Sequence, residues 1–296
     1  MTSKFGKYFL ALASAALLCP ASAWAGFQSS APTIDGDISD LEGSDSATQT
    51  VAGSFGSGVG ELLNMRVSYD ATNLYVGIAG LAEGTGASGT RGFWLVVDSV
   101  PAMGQNTLSI STGPGGAQGL SGAVLESGFD ADYVLFWQNG DGGNRQNYFL
   151  NVVDLNASSE TFYGTFDVDA DTFSASGSEP VGFAADYDGD STSGNFSATE
   201  GFEFQIPLSA LGIPGGSPLR VLAGSGDGGN GYWSNQTLPS SNSTTNLGGG
   251  GGNSPLPDFE ANTYGAFGGM SGDGFAGSQT LTVTSVPVEL SAFGLE

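Results

Sequence analysis

Leu63-Asn64-Met65-Arg66-Val67-Ser68-Tyr69, then Asp70-Ala71-Thr72-Asn73, then Leu74-Tyr75-Val76-Gly77-Ile78: this stretch decides the fold. Leu63, Met65, Val67 and Tyr69 alternate with Asn64, Arg66 and Ser68, and Leu74, Val76 and Ile78 repeat the period of two. Alternation at that period puts one apolar face on a strand, and the Asp/Asn-bearing segment between the runs is a turn. The stretch therefore predicts a β-hairpin. Working outward, further short runs predict strands at Gly92–Asp98, Asp132–Gln138, Asn147–Leu155, Thr161–Val168, Gly201–Ile206, Leu219–Ser225 and Gln279–Val286. No long run has helical periodicity. The one helical turn expected is Leu208-Ser209-Ala210-Leu211, closed by Gly212.

Many short strands separated by turn formers predict an all-β protein, a single β-sandwich of jelly-roll type with long Gly-rich loops. The 50 glycines of the 296 residues concentrate in four such loops, within 84–92, 113–122, 248–252 and 265–277. Val67, Val76, Ile78, Leu95, Val97, Val134, Phe136, Phe204 and Ile206 are expected in the core.

Residues 1–25 read as a secretory signal peptide. Lys4 and Lys7 precede an apolar run, and Ala21-Ser22-Ala23-Trp24-Ala25 offers a small-residue cleavage site. The apolar run is shorter than the roughly 20 residues that span a bilayer. The sandwich is expected over 26–286. Residues 287–296 resemble the segment that often precedes a C-terminal sorting module in exported bacterial proteins. Both lysines and the single cysteine, Cys19, fall within 1–25, and the chain has no histidine. The mature chain keeps Arg66, Arg91, Arg145 and Arg220 against all 30 acids, a net charge of −26.

Those absences exclude chemistry. Zinc, copper, haem and iron–sulfur sites lack their usual ligands, triads and cysteine nucleophiles lack their members, and no lysine remains for a Schiff base. Carboxylates remain as acid–base groups and calcium as the metal expected. With 30 acids, no particular pair is nominated for hydrolysis. The chain is expected not to be an enzyme. Its charge disfavours nucleic acid and anionic membrane surfaces.

Two patterns suggest sites. Asp186, Asp188 and Asp190 alternate as at the start of a calcium loop, although Ser191 and Ser197 stand where such a loop has Gly and Glu. Asp167, Asp169 and Asp171 repeat the spacing, and either trio could instead be one solvated stripe of a strand. Gly-Asp-Gly-Gly-Asn occurs at 140–144 and again at 226–230, each time beside aromatics. Trp137, Tyr148, Tyr232 and Trp233, with Asp141, Asn144, Asp227 and Asn230, could form one ligand platform at the sandwich rim. The competing reading makes these rings rim or core packing. Trp94 lies in an apolar strand and is expected in the core.

Three motifs occur in a familiar order. Thr33-Ile34-Asp35-Gly36-Asp37-Ile38-Ser39-Asp40-Leu41, the Ser68–Ile78 hairpin and Phe202-Glu203-Phe204-Gln205-Ile206-Pro207-Leu208-Ser209-Ala210-Leu211-Gly212 resemble the opening, hairpin and late strand of family 9 carbohydrate-binding modules and the wider DOMON-like sandwiches. Leu41 stands where that family often has Trp. The resemblance implies a secreted or cell-surface, non-catalytic module whose partner is a polysaccharide or surface glycan. The alternative is a structural subunit of a surface layer, sheath or fibre, self-assembling through edge strands. Rings exposed together favour the first class; buried rings favour the second.

Overall fold

The computed structural model describes residues 28–41, 44–53, 60–81, 91–99, 103–141, 144–167, 170–177, 181–185, 198–213, 218–229, 232–241, 243–249, 256–260 and 280–283. Its strands are β1 (Asp45–Thr48), β2 (Glu61–Tyr69), β3 (Asn73–Leu81), β4 (Arg91–Asp98), β5 (Tyr133–Asp141), β6 (Asn144–Asp154) and β7 (Ser159–Asp167). They continue as β8 (Thr172–Ala175), β9 (Gly182–Ala185), β10 (Gly201–Pro207), β11 (Leu219–Asp227), β12 (Trp233–Leu238) and β13 (Leu281–Val283). One short helix, α1, spans Gly115–Gln118.

The hairpin forms as expected. Asp70 closes its turn, its Oδ1 accepting from the backbone N–H of Thr72 and of Asn73, each at 2.7 Å. Tyr75 donates its hydroxyl to the other carboxylate oxygen at 2.7 Å. Burial alone would raise this carboxyl, but the hydrogen bonds outweigh it and hold Asp70 below the usual range. A bulge between Leu62 and Asn64 shifts the parity at the far end of β2, so Leu62 enters the core.

The strands make two antiparallel sheets, β1-β2-β3-β10-β9 and β12-β11-β4-β5-β6-β7-β8, with β13 also on β11. The two sheets pack as a sandwich around one apolar core. Val67, Val76, Ile78, Leu95, Val97, Phe204 and Ile206 lie in it as expected. Val134 and Phe136 do not: they point to the opposite face of the larger sheet, into a second buried cluster. In Tyr133-Val134-Leu135-Phe136-Trp137 no residue is polar enough to mark the wet face, so alternation could not set parity.

That second cluster exists because an irregular cover spans part of the larger sheet's outer face. Leu108, Leu120, Leu125 and Phe129, with Leu247 and Phe259, pack onto Trp94, Val96, Phe136 and Leu222. Arg220 on β11 pins the cover by pairing with Glu126, donating to the Gly128 carbonyl and lying 5.2 Å from the Phe129 ring centre. Glycine sets how closely the cover approaches. A Cβ on Gly116 would lie 2.1 Å from the Gly228 carbonyl oxygen and 2.4 Å from Phe136 Cζ. One on Gly92 would lie 2.9 Å from Gly228 Cα. The Gly-rich loop within 113–122 is thus a packed layer.

Four strands escape the sequence reading: β1, β8, β9 and β12. The last, Trp-Ser-Asn-Gln-Thr-Leu, is buried throughout despite its polarity. Asn235 Nδ2 donates to the carbonyls of Ala52 (2.9 Å) and Ser243 (2.8 Å), and Gln236 Oε1 accepts from Leu62 N–H at 3.1 Å. Hydrogen bonding, in place of hydrophobicity, lets this strand sit inside. The expected turn at Leu208–Leu211 is present as a 3-10 turn, ended by Gly212 at φ +58°.

Candidate functional site

The anticipated rim platform does not form. Trp137 alternates with Phe136 and follows Leu135 to the inner face of β5, where it is fully buried. It stacks on Phe93 at 5.8 Å and meets Phe204 edge-on at 4.7 Å between ring centres. Tyr148 is likewise buried in the inter-sheet core, against Phe202. Trp233 is fully buried on the other face of the same sheet, between Trp94 (4.7 Å) and Phe259 (5.4 Å). The correction follows from strand parity: the two tryptophans belong to different cores on opposite faces of one sheet. Tyr232 is half-buried. Asp227 closes its own turn, accepting from Gly229 N–H at 2.6 Å. Asp141 and Asn144 pair across the β5–β6 hairpin, and Asn230 lies outside the described residues.

The proposed calcium ligands Asp186, Asp188 and Asp190 also lie outside the described residues. In the second trio, Asp169 does too, and Asp167 accepts from Ala170 N–H at 3.1 Å. Among the described residues no three His, Cys, Asp or Glu side chains are grouped to hold a metal ion. No described helix is long and apolar enough to cross a membrane.

A different surface has the makings of a site. The cover stops at Gly113, which passes against Val153 and Glu160. Beyond it, among the described residues, the outer face of β7 and β8 adds nothing to a buried apolar cluster, and that of β6 adds Val153 at the cover's edge. Register places Gln138 opposite Phe149, Asn151 opposite Phe162, Val153 opposite Glu160 and Asn147 opposite Asp167. Inward residues of β6 are Tyr148, Leu150 and Val152, so Asn147, Phe149, Asn151 and Val153 lie on the outer face, the first two half-buried and the last two buried. Phe149 and Phe162 form a tilted pair with ring centres 6.5 Å apart, and Phe162 is 39% exposed. Asn151 Nδ2 donates to Glu160, fixing both at the edge of the pair. Opposite Phe149 in register, Gln138 has a buried Oε1 with no hydrogen-bond partner, and so has Thr112 at its Oγ1 on the cover's margin.

This strip combines apolar rings, fixed amides and carboxylates, and unfilled polar atoms, the composition of a recognition surface. The sequence pointed to it only through Phe149 and Phe162 themselves, which break the polar face of otherwise half-buried strands.

A second concavity, of about 320 Å³, opens between Val51, Gly53, Glu61, Leu62 and Gln236. Its polar groups are bonded internally: Gln236 Nε2 donates to the Val51 carbonyl at 3.2 Å, and Glu61 accepts from Gly53 N–H at 3.1 Å. Two carboxylates, half-buried Asp98 and fully buried Glu203, hold backbone N–H groups, at 3.3 Å for Asp130 and 3.0 Å for Asp35. Burial first, then neighbouring aspartates, push Asp98 up to about 6. Both serve the fold.

No protein-family model matches the chain, and no curated protein matches it.

Proposed function

We propose that this chain is an exported, non-catalytic binding protein that holds a polysaccharide against the open strip of its larger sheet. One observation supports the reading: an outward-facing phenylalanine pair lies beside a buried amide oxygen, Gln138 Oε1, that has no partner. An unfilled buried acceptor costs about 1–3 kcal/mol, and turning the Gln138 amide out to a ligand hydroxyl recovers that energy. A sugar offers both the apolar ring face for Phe149 and Phe162 and the hydroxyl for Gln138. The motif resemblance to carbohydrate-binding sandwiches agrees with this reading.

The test is retention of the full chain on a panel of insoluble polysaccharides, compared with Phe162→Ala and Gln138→Met. Loss of one ring should weaken retention about ten-fold, by analogy with the 1–3 kcal/mol of an aromatic stacking platform. Gln138→Met should weaken it without lowering stability, since it removes an unsatisfied group. No retention on any polymer, or retention indifferent to both changes, sinks the proposal.

A second reading, a subunit of a surface layer or fibre, draws on two observations. The burial of Trp137 and Trp233 removes the loop platform that favoured binding, and β8 ends the larger sheet as a short edge with mostly exposed side chains. Size-exclusion chromatography with and without calcium separates the two: a calcium-dependent polymer favours the subunit, a stable monomer the binding protein.

A further inference from the structure

The segment 33–41 lies on the outer face of the smaller sheet, where Ile38 and Leu41 cover Tyr75 and Ala79. Gly77 makes room: a Cβ there would lie 2.4 Å from Ile38 Cγ2 and 2.7 Å from Leu41 Cδ1. The backbone is tied on by Ile38 N–H to the Thr199 carbonyl (2.7 Å) and Gly201 N–H to the Gly36 carbonyl (2.9 Å).

At the centre of this attachment stands one carboxylate. Glu203, on β10, is fully buried, and its Oε2 accepts from the N–H of Asp35 at 3.0 Å and of Gly36 at 3.1 Å. Its Oε1 is buried with no partner, as is Asp40 Oδ1. The groups around it are acids. Asp35, Asp37 and Asp40 come from the segment, and Glu200, which pairs by backbone with Asp37, lies three residues before it. The strands beside it contribute no charge, since Glu203 pairs with Gly77 on β3 and Ala184 on β9. The cation one strand further, Arg66, opposes Gly77 and gives its guanidinium to the carbonyls of Ile38 and Ser39, each at 3.2 Å. A buried carboxylate thus clamps a turn with no facing counter-charge among the described residues.

We infer that Glu203 and the Asp35–Gly36 turn form a proton-controlled clasp, which holds the 33–41 segment firmly when Glu203 is protonated and loosens it on ionisation. The neutral acid keeps a carbonyl oxygen for both N–H groups and removes the uncompensated charge. Burial, the largest influence, together with Asp40 and Asp35 raises this carboxyl to about 7, against the opposing pull of its two backbone hydrogen bonds. A carboxyl raised in the folded state contributes stability that is fully present below its ordinary value of 4.5 and is lost as pH rises through about 7. The clasp therefore opens on the alkaline side, opposite to acid unfolding.

The experiment uses the full chain and reads amide hydrogen exchange over 33–41 between pH 5.5 and 8.5, corrected for intrinsic rates. Protection should fall at least about ten-fold with a midpoint near 7, while Glu203→Gln, which keeps an acceptor and cannot ionise, should show a flat profile. Carbon-detected titration of the glutamate carboxyls in the unmutated chain supplies a reading independent of whether the variant folds. One carboxyl titrating near 7, absent from Glu203→Gln, supports the clasp. All glutamates titrating below about 5, or an identical exchange profile in parent and variant, overturns it.

Discussion

Replacing Trp233 separates a structural ring from a ligand platform. Its indole is fully buried and makes edge contacts with Trp94 at 4.7 Å and Phe259 at 5.4 Å. Two aromatic pairs contribute about 1–3 kcal/mol beyond their buried area. Adding the cavity left by truncation brings Trp233→Ala into the range of about 3–5 kcal/mol. For a domain of this size that is a fall in Tm of about 10 °C. The loss should be larger than for a rim residue, because Trp233 joins the sheet to the Phe259 and Leu247 part of the cover. Trp233→Phe tests the same geometry from the other side. The indole Nε1 is buried with no partner, so the phenyl ring removes an unsatisfied donor while keeping most contacts. It should remain within about 1.5 kcal/mol of the parent. Calorimetry and far-ultraviolet circular dichroism read both variants without depending on tryptophan fluorescence. An unchanged Tm for Trp233→Ala, accompanied by lost polysaccharide retention, would refute the buried placement and restore the rim platform.

Two further outcomes are expected. Gly224→Ala places a Cβ 2.4 Å from Trp94 Nε1 and should destabilise by about 1–3 kcal/mol through overpacking, read as a lower Tm; an unaltered melt would contradict the tight seat of Trp94. If Asp186, Asp188 and Asp190 close on calcium, the ion should raise Tm by mass action and Asp188→Asn should abolish the increment; a calcium titration that leaves the melt unchanged disposes of that site.

The hairpin and most central strands were legible because their alternation has a polar face. Met65-Arg66-Val67-Ser68-Tyr69 says which side meets the core, and the structure agrees, although Ser68 on the polar side is buried too. Where both faces are dry the signal fails. In β4, Gly92 through Val97 are all buried, and in β5 the apolar run leaves parity open, which is how Phe136 and Trp137 exchanged their expected places. The cover that dries the second face comes from segments remote in sequence, so no local pattern announces it. β12 failed for the opposite reason: Ser234, Asn235, Gln236 and Thr237 look solvated, and only tertiary hydrogen bonds make them interior. Of the open strip, only Phe149 and Phe162 stand out in the sequence; its extent depends on where that same cover ends.

The contact between the cover and the sheet inverts the usual pattern of mutational tolerance. Surface loops ordinarily absorb substitutions and drift quickly. Here Gly116 meets Gly228 and Phe136 at distances that admit no side chain, and Gly92 meets Gly228 from within β4. A single methyl at Gly116 must prise α1 from the sheet or displace the turn after β11. Saturation mutagenesis should therefore find these loop glycines among the least replaceable residues, while exposed strand positions such as Ser174 on β8 accept most exchanges. Sequence divergence in this architecture would be confined to its strands' wet faces, with the glycine contacts held as fixed points between which everything else varies.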